Sequence, residues 1–247
     1  MPGPEPEEET FLHWAAAKGH LEVIRRLPPC KISLERLART KDRLGRTALH
    51  LAASCQHLDQ VETTCPVALK RRYLLARDNE GKTPLHGAAS NGQLDRCSEK
   101  LRPEDLLVPD AAGVTPLHWA AVGGHLDQVK AVCSAVLTPE NLMVGDNDGS
   151  TPLHWAACAM HLEQVHSVCE GALAPENLLK PDKKGITPLH CAVGSGDLHR
   201  IPPIDPADLP ADLRGHPLLK ERWEERQERQ GLDGPTTGGA EVDVELA

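Results

Sequence analysis

Asp146-Asn147-Asp148-Gly149-Ser150-Thr151-Pro152-Leu153-His154-Trp155-Ala156-Ala157-Cys158-Ala159-Met160-His161-Leu162-Glu163-Gln164 reads as one complete structural unit. Asp first and Gly fourth is the preference of a type I turn. Thr151 suits a helix N-cap, and Pro152 suits the first helical position, where its missing N–H is no loss. Leu153, Ala156 and Ala157 share one helical face, and the small alanines let another helix come close. After a break at Met160-His161, Leu162 and Val165 open a second apolar stripe. The product is turn, helix, corner, helix.

Moving outward, Thr-Pro-Leu-His stands four times, at Thr83–His86, Thr115–His118, Thr151–His154 and Thr187–His190. Two weaker copies precede it, at Thr10–His13 and Thr47–His50, and the six threonines are 37, 36, 32, 36 and 36 residues apart. A fixed period of this size means stacked units that cover each other's apolar sides. With one Phe, one Tyr and four Trp, burial must come from Leu, Val and Ala in thin helical layers. The formal charge of -9 disfavours nucleic-acid phosphates and anionic lipid as partners. No run of about 18 apolar residues exists to span a bilayer. The opening residues 1–9 are acidic and carry no apolar stretch, so they are expected to be flexible rather than a secretory signal, in a cytoplasmic protein.

The stretch Gly113-Val114-Thr115-Pro116-Leu117-His118-Trp119-Ala120-Ala121-Val122-Gly123-Gly124-His125-Leu126 resembles the ankyrin repeat, a turn followed by Thr-Pro-Leu-His-x-Ala-Ala and then Gly-His-Leu. The resemblance runs over roughly residues 10–201. It implies an all-α solenoid of helix–loop–helix units with projecting hairpin loops, which binds other proteins. Residues 10–210 are read as this domain, with six units of which the first and last are atypical. Residues 211–230 are read as a charged C-terminal capping helix, docked by Leu218, Leu219 and Trp223, and 231–247 as a disordered acidic tail.

The chain departs from the family in its joints. The family's glycine-led loop after the second helix is missing, and Leu101-Arg102-Pro103-Glu104-Asp105-Leu106, Leu137-Thr138-Pro139-Glu140-Asn141-Leu142 and Leu173-Ala174-Pro175-Glu176-Asn177-Leu178 take its place. Proline followed by Glu starts a helix, so each joint is expected to hold an extra helical turn. That accounts for a 36-residue spacing in place of about 33. The single 32-residue interval reads as a one-turn deletion before Cys97, which shortens a second helix.

Candidate chemistry is sparse. His13, His50, His86, His118, His154 and His190 hold the fourth place of the repeated segment, and His20, His57, His125 and His161 sit at the corner. Residues that recur along an axis build scaffold, whereas an active site needs convergence, so no metal and no catalytic residue is assigned. Cys65, Cys97, Cys133 and Cys169 share one position in successive second helices, with Cys30 nearly in line, and read as small packing residues. Neighbours in that column are too far apart for disulfides on ideal stacking. An exposed, redox-sensing thiol is an alternative for Cys55 or Cys158. No phosphate loop, nucleophile elbow or carboxylate pair appears, so neither an enzyme nor a cofactor is expected.

Partner binding is expected at the loop tips, the surface that varies in the family. These are Arg43, Leu44 and Arg46; Asn79, Glu80 and Lys82; Ala111, Ala112 and Val114; Asn147, Asp148 and Ser150; and Lys183, Lys184 and Ile186. Trp119 and Trp155, which follow the repeated His, either fill gaps between layers or flank a groove. Gly87, in the same place, would leave a notch beside Trp119. The function expected is a monomeric protein-interaction adaptor. Alternatives are a regulatory or inhibitory subunit of a partner enzyme, and a thiol- or metal-dependent sensor.

Overall fold

A computed structural model describes residues 6–26 and 36–221. It divides into two units, residues 1–202 and 203–247, so the division falls after Pro202 rather than at 210. In the first unit, α1 (Pro6–Lys18) and α2 (Glu22–Arg25) make the opening pair, and α3 (Arg36–Arg39) leads into the next turn. Then come α4 (Ala48–Ser54), α5 (Leu58–Thr64), α6 (Arg71–Leu74), α7 (Pro84–Ser90), α8 (Pro116–Gly123) and α9 (Leu126–Cys133). The series ends with α10 (Pro139–Leu142), α11 (Pro152–Cys158), α12 (Leu162–Val168), α13 (Pro175–Leu178) and α14 (Pro188–Ser195). The first helices stack in chain order, α1 on α4, then α7, α8, α11 and α14.

The helices start where the sequence caps them. In the four Thr-Pro-Leu-His copies the threonine is extended and the proline fills the first helical position. The Leu of each segment and the two small residues after the His are buried, as Leu117, Ala120 and Ala121 illustrate. α1 begins at Pro6, earlier than Thr10, so residues 6–9 are helical and not a flexible lead.

The extra turns are present as α10, α13 and the 3₁₀ segment Pro103–Leu107. A second short 3₁₀ segment precedes the extra helix at Pro66–Leu69, Ser134–Val136 and Glu170–Leu173. Leu37, Leu74, Leu106, Leu142 and Leu178 from the last segment of each joint are all buried. The joint is therefore a third packed layer, and burying its leucine is what orders it. Deletion before Cys97 goes further than a shortened helix. Residues Leu94–Lys100 form a 3₁₀ segment in place of an α-helix, with only Asp95 and Arg96 left between Leu94 and Cys97.

In the second unit, Leu209, Leu213 and Leu219 are buried while Leu218 is exposed. Arg214 donates to the carbonyls of Leu209 and Ala207. Residues 211–215 form turns and helix begins only at 217, where Pro217 suits a first helical position. Trp223 and the proposed tail lie outside the described residues, as do Cys30 and residues 1–5.

Candidate protein-interaction surface

Each turn, or finger, is built by one aspartate. Asp42, Asp78, Asp110, Asp146 and Asp182 use Oδ1 to accept two N–H groups, from two and four residues ahead. The glycine at the fourth place is left-handed, as at Gly149 with φ 83°, which only glycine adopts readily. The Asp182 carboxyl is held low: burial pushes it up, but the Ile186 and Lys184 N–H groups and the Ser150 hydroxyl outweigh that.

The repeated histidine joins one unit to the next. In the second to sixth copies the threonine N–H donates to histidine Nδ1, at 3.0 Å in Thr47–His50 and 3.2 Å in Thr115–His118. That leaves the proton on Nε2, which donates to the carbonyl before the next threonine. The bonds run His13 to Arg46, His50 to Lys82, His86 to Val114, His118 to Ser150 and His154 to Ile186, at 2.9–3.2 Å. Only neutral imidazole can make both bonds. Burial pushes the pKa of His50, His86, His118 and His154 below the ordinary value. The corner histidines serve packing: a Cβ on Gly92 would lie 2.8 Å from the His125 ring, and one on Gly124 2.8 Å from the His161 ring.

The fingers are also stitched edge to edge, which the sequence did not reveal. Asn79 N–H donates to Leu44 O, Ala111 to Glu80, Asn147 to Ala112 and Lys183 to Asp148, at 2.8–3.0 Å. Side chains reinforce this line: Asn79 reaches Arg43 O, Asn147 reaches Ala111 O and Lys183 reaches Asn147 O. Asn79, Asn147 and Lys183, expected to face a partner, thus spend their polar ends on the neighbouring finger while remaining exposed. Val114 is a correction. It is only 7% exposed, whereas Ile186, which makes the same bonds to its turn aspartate and the preceding histidine, is 41% exposed.

The side chains left in water come from the position after those ties. Leu44 is 57% exposed, and Glu80, Ala112, Asp148 and Lys184 are exposed with it. Glu80 pairs with Lys82 at 2.9 Å and Asp148 with Lys184 at 3.6 Å, contacts that water and salt weaken. Arg46 is committed to Asp42 at 2.8 Å, and Ser150 donates to Asp182. Arg43 and Ala111 are exposed on the tip.

Two grooves lie between fingers and first helices. One, of about 250 Å³, is walled by Leu44, Asn79, Glu80, Lys82, Ser54 and Gly87. The Gly87 notch opens toward Ser54, since a Cβ there would meet Ser54 Oγ at 2.9 Å. Trp119 lies outside that groove, with Lys82 Nζ 6.0 Å from its ring centre. The second groove, about 370 Å³, is walled by Val122, Trp155, Cys158, Ile186 and Cys191. Trp119 and Trp155 meet edge to face at 5.5 Å, and the buried Trp119 Nε1 has no hydrogen-bond partner among the described residues. Both tryptophans are half-buried, so they fill the layer gap and also edge the surface.

A family model for ankyrin repeats, in three copies, matches residues 2–64 and 96–173. The chain is an ankyrin-repeat protein. A 92-residue stretch is 38% identical to the transient receptor potential cation channel subfamily A member 1 homolog of Caenorhabditis elegans, covering 37% of this chain. The chain spans only 7% of that relative's length, so the likeness concerns the repeats. Ankyrin repeats are in general protein-interaction modules. No helix among the described residues is long and apolar enough to cross a membrane. No three His, Cys, Asp or Glu side chains among them converge as a metal site would require.

Proposed function

We propose that this ankyrin-repeat protein is a monomeric, cytoplasmic adaptor that grips a partner protein along its finger tips and the adjoining first-helix face. One observation carries the reading. The fold consumes the finger backbones and the repeated histidines, yet leaves Leu44, Glu80, Ala112, Asp148 and Lys184 in water at one repeated position. A row that changes from apolar to acidic to apolar to charged, on a rigid support, is what specificity through complementarity needs. The half-buried Trp119–Trp155 pair beside it supplies the residue type that most often anchors an interface.

The test is affinity capture with wild type and with a variant carrying serine at those five tips. Circular dichroism must show unchanged melting. Loss of captured proteins by the folded variant supports the reading, and retention of all of them rejects it.

A further inference from the structure

Cys158 ends α11, and Cys191 lies in the first turns of α14, the next helix of the stack. Counted from their threonines, they occupy the seventh and fourth following positions. Ser54 and Gly87, Ser90 and Trp119, and Val122 and Trp155 hold the same pair of positions earlier in the array. How closely this register brings two side chains is visible at Gly87. A Cβ there would stand 2.9 Å from Ser54 Oγ and 3.0 Å from Ser54 N. β-Carbons in this register are thus within reach of the roughly 3.5–4.5 Å that a disulfide spans. Cys158 and Cys191 are the cysteines that fill it. They share a wall of the Trp155–Ile186 groove, where Cys158 is exposed and Cys191 half-buried.

We propose that Cys158 and Cys191 form an oxidisable dithiol, closed to a disulfide by a hydroperoxide, that pins α11 to α14 inside this groove. The Cys158 thiolate attacks one peroxide oxygen, the O–O bond breaks, and water or an alcohol leaves after taking up a proton. Cys158 is then a sulfenic acid. Cys191 sulfur attacks it, the S–O bond breaks, and the departing hydroxide takes the Cys191 proton and leaves as water. The peroxide gains two electrons and the two thiols lose two. The roles follow from the surroundings. Burial and the adjacent Cys158 push the Cys191 thiol up to about 12, so it stays protonated and waits, while exposed Cys158 meets the oxidant. Since a disulfide holds its sulfurs at about 2.05 Å, closure draws together two helices that wall the groove beside Trp155 and Ile186.

The full-length protein is treated with hydrogen peroxide, its remaining thiols are alkylated, and non-reduced tryptic peptides are analysed by mass spectrometry. Cleavage at Lys183 or Lys184 separates the two cysteines. The expected result is a Cys158–Cys191 linked peptide that disappears on reduction and is absent from Cys158→Ser and Cys191→Ser. Serine already fills the Cys158 position at Ser54 and Ser90, so that variant retains its packing. Linkage in the folded protein should run at least roughly tenfold faster than in urea, because folding supplies the proximity. Oxidised Cys158 with Cys191 still alkylatable, linkage of Cys158 to another cysteine, or equal rates in urea would each overturn the proposal.

Discussion

Replacing His118 with alanine removes the hydrogen bonds that join the fourth unit to the fifth. The ring is fully buried. Nδ1 accepts from Thr115 N–H at 3.2 Å and lies 2.9 Å from Thr115 Oγ1, and Nε2 donates to Ser150 O at 3.1 Å. The Trp155 ring meets it edge-on at 5.4 Å. Alanine strands a buried N–H and weakens the hold on a buried carbonyl, each worth about 1–3 kcal/mol. The vacated space adds to this. Because Ser150 O keeps the Asp146 N–H bond, the lower end applies there, and the total comes to about 3–4 kcal/mol. With a urea slope of about 2 kcal/mol/M, the unfolding midpoint falls by roughly 1.5–2 M. Far-UV circular dichroism reads the midpoint, with Lys184→Ala as an exposed control expected to stay within about 0.5 kcal/mol. A His118→Ala loss below about 1 kcal/mol would refute the assignment of the repeated histidine as the bolt between units.

Three further outcomes follow from the same geometry. His50, His86, His118 and His154 have lowered pKa values in the folded chain, so the unfolded chain takes up protons first. Stability is full above about pH 6.5 and falls as pH drops below it, by up to about 1.4 kcal/mol per unit for each histidine; urea midpoints between neutral and mildly acid pH that stay level would contradict this. Arg71→Met strips Asp105, only 1% exposed, of its two-pronged partner at 2.5–3.1 Å. With Arg71 itself partly in water, a lower urea midpoint is the expected direction, and no change would mean that Arg102 N–H and water satisfy the carboxylate. Met160 is left-handed at φ 63°, in the corner where Gly19, Gly92, Gly124 and Gly196 stand. Met160→Gly should therefore raise stability by up to about 1 kcal/mol, read as a higher melting temperature, and a lower one would show that the Met160 side chain contributes packing.

Much of this architecture was legible because its rules are local. Thr151-Pro152 states a helix start, Asp146 and Gly149 state a turn, and Pro139-Glu140 announces the extra turn that becomes α10. What needed coordinates was rotation about the stacking axis. Only that rotation brings Cys191 onto Cys158, aims His118 at Ser150 O, and sends the Asn79 amide to Arg43 O instead of to a partner. It also turns Val114 inward, although its place before a threonine matches that of exposed Ile186. Leu94–Lys100 departs from the shortened α-helix that the deletion implied and winds as 3₁₀, which nothing in its residues explains.

The central claim is that the repeated residues hold the units together while the exposed tips choose the partner. A photo-crosslinking amino acid placed at Ala112, on a tip, or at Glu176, on the exposed face of the joint layer, tests it most directly. The account predicts that a captured partner is crosslinked from Ala112 and not from Glu176. Crosslinking from Glu176 with none from Ala112 would contradict it.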